Sequence, residues 1–533
     1  MQRRPRWKNV FVLVRLVLAA PLAAQDHQHT MVTAEHAGAV HFVTSCRPAV
    51  VPEFDRAVTL LHSFEFRESI RSFMAVLATD STCAMAQWGI ALSRWTNPMT
   101  SGQRTSAVLE PGRQAATQAT RLGATATDRE RDYIAAVSQL YADYEHRDQR
   151  SRVVAYEQAM KTLAAKQPAD TEAQIFHALS LVAAALPTDK SYANQREAGN
   201  ILEALWAKQP NHPGLAHYII HSYDYPPLAA QAMAAASRYA AIAPTAAHAL
   251  HMPSHTFTRI GLWQQSVSTN VRSIKVAIHD LAFAEALHAS DYAEYAYLQM
   301  RHDRDARRVL ASLPAIAAKF DPAAITGAAP GSAGVFALAA IPARYALERG
   351  QWAEAAALPT HTTAFPYADA LTHYARALGA SHTNQLAVAH ASVDSLAAIR
   401  ERLIVGGDAY WAEQAAIQRL SAQAWIDVAE GRRDDALAHM REAATKEDAT
   451  EKGAITPGPL APARELLGDM YLQLGRPAEA LAEYQQTLTK EPNRFRALHG
   501  AMLSATAAGN RRLASKYAAQ IVKLTGSAAY TRR

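Results

Sequence analysis

The sequence predicts an all-α chain, a helix-turn-helix solenoid of about ten to eleven hairpins, on three observations. Of its 533 residues 49% are hydrophobic, with alanine prominent and only 23 glycines, a composition of packed helices rather than of disorder or collagen. The length exceeds one ordinary core of about 100–200 residues, so several domains or a repeat array is expected. Short amphipathic hairpins with a common turn recur from residue 50 to the C-terminus, and strand signals are negligible.

Residues 1–24 read as a signal peptide. Met1 to Asn9 is basic, Val10 to Ala20 is apolar apart from Arg15, and Pro21-Leu22-Ala23-Ala24 supplies the small residues of a cleavage site, expected after Ala24. The apolar run falls short of the roughly 20 residues of a membrane span, so an anchor is the lesser reading. No span is expected once the signal is removed. The chain carries 54 Lys plus Arg against 48 Asp plus Glu, a formal +6. Arg3, Arg4, Arg6, Lys8 and Arg15 all lie in the signal, which has no acid, so removing it leaves 49 against 48. The excess charge therefore argues for a compartment and not for nucleic acid. A periplasmic or secreted mature protein is expected.

Residues 25–49 form a histidine-containing tail. Cleavage after Ala24 exposes Gln25-Asp26-His27, an amine with histidine third, which chelates copper(II); the competing reading is a tail with incidental histidines. Cys46 and Cys83 are the only cysteines, and their spacing leaves open a disulfide or two buried thiols.

The solenoid occupies 50–320 and 335–533, on either side of a Gly/Ala-rich loop at 321–334 that reads as a mobile segment or lid. Its clearest unit runs from Pro462 to Glu491, with Leu467-Gly468, Tyr471, Gly475-Arg476-Pro477, Ala480, Tyr484 and Pro492 at fixed offsets. Similar turns stand at Phe66-Arg67-Glu68-Ser69, Leu262-Trp263-Gln264-Gln265-Ser266, Gly350 to Ala355 and Gly431 to Ala436, and prolines 168, 210, 244 and 492 end second helices. This pattern resembles the 34-residue tetratricopeptide repeat, in which small residues let two helices approach closely. The segments Leu61-His62-Ser63-Phe64, Cys83 to Ala91 and His248 to His255 resemble exported bacterial tetratricopeptide proteins of unassigned activity. A further interruption at Thr445 to Pro462 reads as a solvated connector.

Histidine is the chemical signal that stands out. Six of 22, at 212, 217, 221, 248, 251 and 255, fall within 44 residues. His217 to His251 and His221 to His255 are both one 34-residue period. With Pro210 and Pro244 fixing the register, the resemblance implies that His217, His221, His248, His251 and His255 line the concave groove, joined by Asp224 and Arg259. The i, i+4 spacing brings each HxxxH pair onto one helix face, and two pairs one repeat apart can converge on one zinc or copper ion. The next repeat offers His288, Asp291 and Tyr295 at the same groove positions. Trp88 is a further groove candidate, with core packing the commoner fate of such a residue. Pro253 reads as a kink or as the start of a new helix.

Three readings of the histidines stay open: a metal site, a metal-free ligand groove, or one packing solution duplicated with the repeat. The expected function is an exported scaffold binding a protein, peptide or small ligand in its groove, with His217, His221, His251 and His255 as candidate metal ligands and His248, Arg259, His288 and Trp88 lining the groove. The alternatives are a zinc or copper metalloenzyme, hydrolytic or oxidative, with Asp224, Asp291, Glu294 or Tyr295 as acid/base candidates, and a structural scaffold for envelope assembly. No nucleotide-binding, haem or HExxH motif occurs.

Overall fold

The computed structural model describes residues 38–100 and 103–531, so the signal and the Gln25-Asp26-His27 motif lie outside the described residues. What is described is helical throughout, without a strand, and forms twelve successive helical hairpins, from Val51–His62 with Phe66–Thr79 to Phe495–Ala507 with Arg511–Thr525. The expected tetratricopeptide-like solenoid is therefore present. Each hairpin buries one apolar stripe against its neighbours, which no single hairpin can do alone. In the Pro462 unit, a Cβ on Gly468 would lie 2.9 Å from the Tyr484 ring. That contact is why the repeat needs a small residue there. Helices end before each of the prolines at 168, 210, 244 and 492, at Lys166, Trp206, Ile242 and Lys490. Among the described residues no helix is long and apolar enough to cross a membrane.

The array curls back on itself. Trp263 Nε1 donates to the Asn493 carbonyl at 2.9 Å, and the Phe495 N–H donates to Gln299 Oε1 at 2.9 Å. Gly261, at φ +70°, allows the approach, because a Cβ there would meet the Pro492 carbonyl oxygen at 2.2 Å. Arg494, fully buried, pairs with Glu348 (2.8 Å) and Glu465 (2.7 Å) and donates to the Tyr295 hydroxyl (2.9 Å). One guanidinium thus ties together elements almost 200 residues apart.

Two connectors differ from expectation. Residues 321–334 are no free lid: Ala328 and Ala329 are buried, the Ala329 N–H donates to Glu285 Oε2 at 2.8 Å, and Gly331 already begins the helix to Glu348. The 445–462 segment is no solvated connector either. Thr450, Glu451, Thr456, Leu460 and Ala461 are buried, and Glu451 takes hydrogen bonds from Lys190 and Tyr192, both at 2.7 Å. Glu451 and Lys452 find partners across the curl rather than in water.

Cys46 and Cys83 form a disulfide across a sequence separation of 37. Closing a loop of that length stabilises by about 4 kcal/mol through the unfolded state. The Cys46→Ser/Cys83→Ser double variant is expected to unfold at a markedly lower denaturant concentration; an unchanged midpoint contradicts this. Arg494→Met leaves Glu348 buried without its partner and Glu465 with Arg496 alone, and a loss of about 3–5 kcal/mol is expected in the same assay.

Candidate metal centre

Three successive first helices carry the histidines: Pro213–Ser222, then Ala247–His251 continued by Pro253–Arg259, then Phe283–Gln299. Pro253 has no N–H to continue the ladder, so the middle helix stops and restarts around Met252. The break does not separate its pair: the Nε2 atoms of His251 and His255 stand 3.0 Å apart, against 3.1 Å for His217 and His221 on the unbroken helix.

The imidazoles are interior, all 0–5% exposed, rather than ranged along an open groove. Nor do the four expected ligands converge on one point. They sort into two sets, His217, His221 and His248, and His251, His255 and His288, each with one nitrogen per residue within 4.8 Å of the others. His248 and His288, expected as groove residues, complete these sets.

The outer ring nitrogens decide what the inner ones offer. His217 Nδ1 lies 2.7 Å from the His62 carbonyl oxygen, which only accepts. His248 Nδ1 lies 3.1 Å from Glu285 Oε1, and His255 Nδ1 lies 2.8 Å from Asp224 Oδ2. His251 Nδ1 meets Asn270 Oδ1 at 2.6 Å, and that amide is oriented by its NH2, which donates to the Ser266 carbonyl at 2.7 Å. All four Nδ1 atoms therefore carry the proton, and the four Nε2 atoms present lone pairs. Two of these lone-pair contacts are very close: His217 to His248 at 3.2 Å and His251 to His255 at 3.0 Å. Two acceptors at hydrogen-bond distance require a cation between them.

A proton is the poorer choice. Burial, reinforced by the neighbouring imidazoles, holds His217, His221 and His288 well below the ordinary histidine range, and burial with His255 brings His251 down to about 3. A metal suits the spacing: ligand nitrogens at about 2.0–2.1 Å in a tetrahedron stand about 3.3 Å apart, close to what these pairs show. Carboxylate or carbonyl acceptors behind the ligand rings are the usual means of fixing such imidazoles.

Asp224 is braced from three sides. Arg259 Nε donates to Oδ1 at 2.8 Å, and Lys452 Nζ and His255 Nδ1 reach Oδ2 at 3.1 and 2.8 Å. Burial alone would raise its carboxyl, but Lys452, Arg259 and His255 outweigh it and hold it well below the usual range. Burial in turn lowers the Lys452 ammonium to about 8 against the pull of Asp224. A cleft of about 190 Å³ reaches the assembly here, lined by His221, Asp224, Tyr225, Tyr410, Glu451 and Lys452 among others.

Other candidates lie elsewhere. Trp88 is a core residue, 1% exposed and packed on Phe42, Tyr133 and Phe176 at 5.3–5.6 Å. Asp291 pairs with Arg344 at 3.2 Å, Tyr295 donates to Glu491 at 2.9 Å, and burial raises the carboxyls of Asp291 and Glu294. Besides Glu285 and His288, Tyr292 of that helix touches the histidines, with its ring 4.9 Å from those of both His251 and His255. An unshifted 34-residue register predicts this: 285 follows 251, and 292 falls one turn beyond His288 on the same side. Glu285, Asn270, Tyr292 and Lys452 were not evident as site residues in the sequence. Lys452 arrives on a segment about 230 residues away, which no local signal announces.

A third group, His62, Glu172 and His212, is different in kind. Both histidines address the one carboxylate, at 2.8 and 2.9 Å, through their Nε2 atoms. Hydrogen bonding to Glu172 satisfies those nitrogens without an ion, and the two histidines outweigh burial to keep that carboxyl ionised.

Fold and site together define a helical-hairpin repeat protein with a histidine assembly in its interior. No protein-family model and no curated protein matches the chain. Among solved structures, the human IFIT1 dimer with m7Gppp-AAAA is 10% identical, with a TM-score of 0.36, over 83% of this chain and 90% of that one. Yeast Tom70 is 11% identical, with a TM-score of 0.34, over 88% and 98%. The APC/C hetero-tetramer Cut9–Hcn1 gives 10% and 0.35, over 90% and 88%.

The hydrogen-bond pattern has a direct spectroscopic consequence. Nitrogen-15 spectra of the metal-free protein at neutral pH are expected to show the Nδ1–H tautomer for His217, His248, His251 and His255. An Nε2–H tautomer at both His217 and His248 contradicts the assignment.

Proposed function

We propose that the chain is an exported repeat scaffold that binds a protein, peptide or small ligand and holds a transition metal, zinc or copper, on its interior histidines. The observation that carries the metal is the close approach of Nε2 lone pairs, 3.0 Å between His251 and His255, whose Nδ1 atoms are committed to Asp224 and Asn270. Neutral imidazoles suit both metals. Export is supported by the basic, apolar and small-residue order of residues 1–24 and by the Cys46–Cys83 bond, which an oxidising compartment favours. A repeat array with a cleft at its curved interior is the general form of a binding scaffold.

A second reading, metalloenzyme, is favoured by one feature: three histidines per set leave a four-coordinate ion with one free position, as catalytic zinc sites do. Asp224 and Lys452 are then the acid/base groups nearest the cleft.

Protein purified without a histidine tag is expected to contain zinc or copper by elemental analysis. His217→Ala and His255→Ala are each expected to lower that content while circular dichroism stays helical. Absence of both metals, together with failure to take either up after mild chelation, sinks the metal reading. Glu285→Ala, which frees the His248 ring, is expected to weaken metal binding about 10–100-fold by competition with a chelator.

A further inference from the structure

Resting on the metal reading above, we infer that the two histidine sets hold two ions side by side, a dinuclear centre that takes a small anion such as hydroxide or azide from the cleft. The repeat itself builds the pair. His217 and His221 become His251 and His255 one period of 34 residues later, and each pair is completed by a histidine of the following repeat, His248 for the first and His288 for the second. Each ion therefore sits in the seam between two successive first helices. The third ligand is not in strict register: one period beyond His248 lies Ala282, and His288 comes six residues later.

The sequence also limits the number to two. One period before the first pair stand Ala183 and Pro187, and one period after the second stand Glu285 and Ala289. Neither step offers another HxxxH, and Glu285 instead accepts from His248 Nδ1. The two sets are contiguous. His221 faces His255, and His248 faces His251, with ring centroids 6.0 Å apart in both cases. Those gaps between sets are no larger than the widest within them, 6.4 Å for His221 with His248 and 6.1 Å for His255 with His288. Spacing of that order accommodates the roughly 3.5–4 Å between the ions of two-metal sites.

Charge selects the ligand. Two divalent ions on six neutral imidazoles bring four positive charges into a buried site, where the carboxylates behind the rings are Asp224 and Glu285. Asp224 is already matched by Arg259 and Lys452, and Glu451 is shared with Lys190. Glu65, half-buried near Glu285, has its carboxyl pushed up to about 8 by desolvation and that neighbour, so it adds little negative charge at neutral pH. Positive charge is left over at the end of the cleft where His221 and Lys452 line the wall, and a small anion bridging the ions balances part of it.

The test uses the full mature chain, stripped by chelation, reloaded with copper(II) and passed through gel filtration. Two coppers per chain are expected, with an electron paramagnetic resonance signal weakened or broadened by coupling between them. Azide is expected to alter the absorption of both ions together. His288→Ala and, independently, His248→Gln are expected to bind one copper each and to show the sharp signal of an isolated ion. One copper in the unaltered chain, or two that give uncoupled signals, overturns the dinuclear centre and leaves the metal reading standing. No retained copper, with no zinc retained in a parallel loading, overturns both. An unchanged azide spectrum overturns the anion site alone.

Discussion

The structure turns on four hydrogen bonds at the backs of four rings. The His62 carbonyl, Glu285, Asn270 and Asp224 each accept the Nδ1 proton of one histidine, and this forces the Nε2 lone pairs inward on one another. Acceptors crowded this way in a low-dielectric interior are costly unless a cation is shared between them. The surroundings are arranged around that demand. The Gly/Ala segment holds Glu285 through the Ala329 N–H, and the segment after the Arg433–Asp448 helix carries Lys452 to Asp224. The Ser266 carbonyl orients Asn270, so that its oxygen and not its nitrogen meets His251.

That constraint also explains why the array curls. The Asp224 brace needs Lys452, which belongs to hairpins far along the chain, and its segment is in turn tied to Lys190 and Tyr192 through Glu451. The Arg494 cluster and the Trp263–Asn493 contact hold the same two stretches together on another side. In the curled array the histidines are buried, and a cleft reaches them at His221 and Lys452.

Much of this was legible in the sequence, for identifiable reasons. The helical array follows from apolar periodicity and from small residues such as Gly468, which are local signals. The HxxxH pairs were visible because the repeat copies them at a period of 34. Their division into two sets was not, since it depends on His248 and His288 reaching across a seam at different points of their helices. Asp291 and Tyr295 fall outside the site because the third helix keeps the 34-residue register, which places Glu285 and Tyr292 there instead. Trp88 fell to the core because Phe42, from the segment before the first hairpin, covers it. The connector at 445–462 looked solvated by composition alone, and only contacts some 230–260 residues away make its charges interior.

The central claim is that the inward Nε2 atoms are metal ligands. Crystals of zinc- or copper-loaded protein, measured at the absorption edge of the metal, test it most directly. Two anomalous peaks are expected in the interior, each about 2.0–2.1 Å from three imidazole nitrogens, one set being His217, His221 and His248 and the other His251, His255 and His288. A map with no peak among these residues, or with metal only on exposed histidines such as His146 and His279, contradicts it.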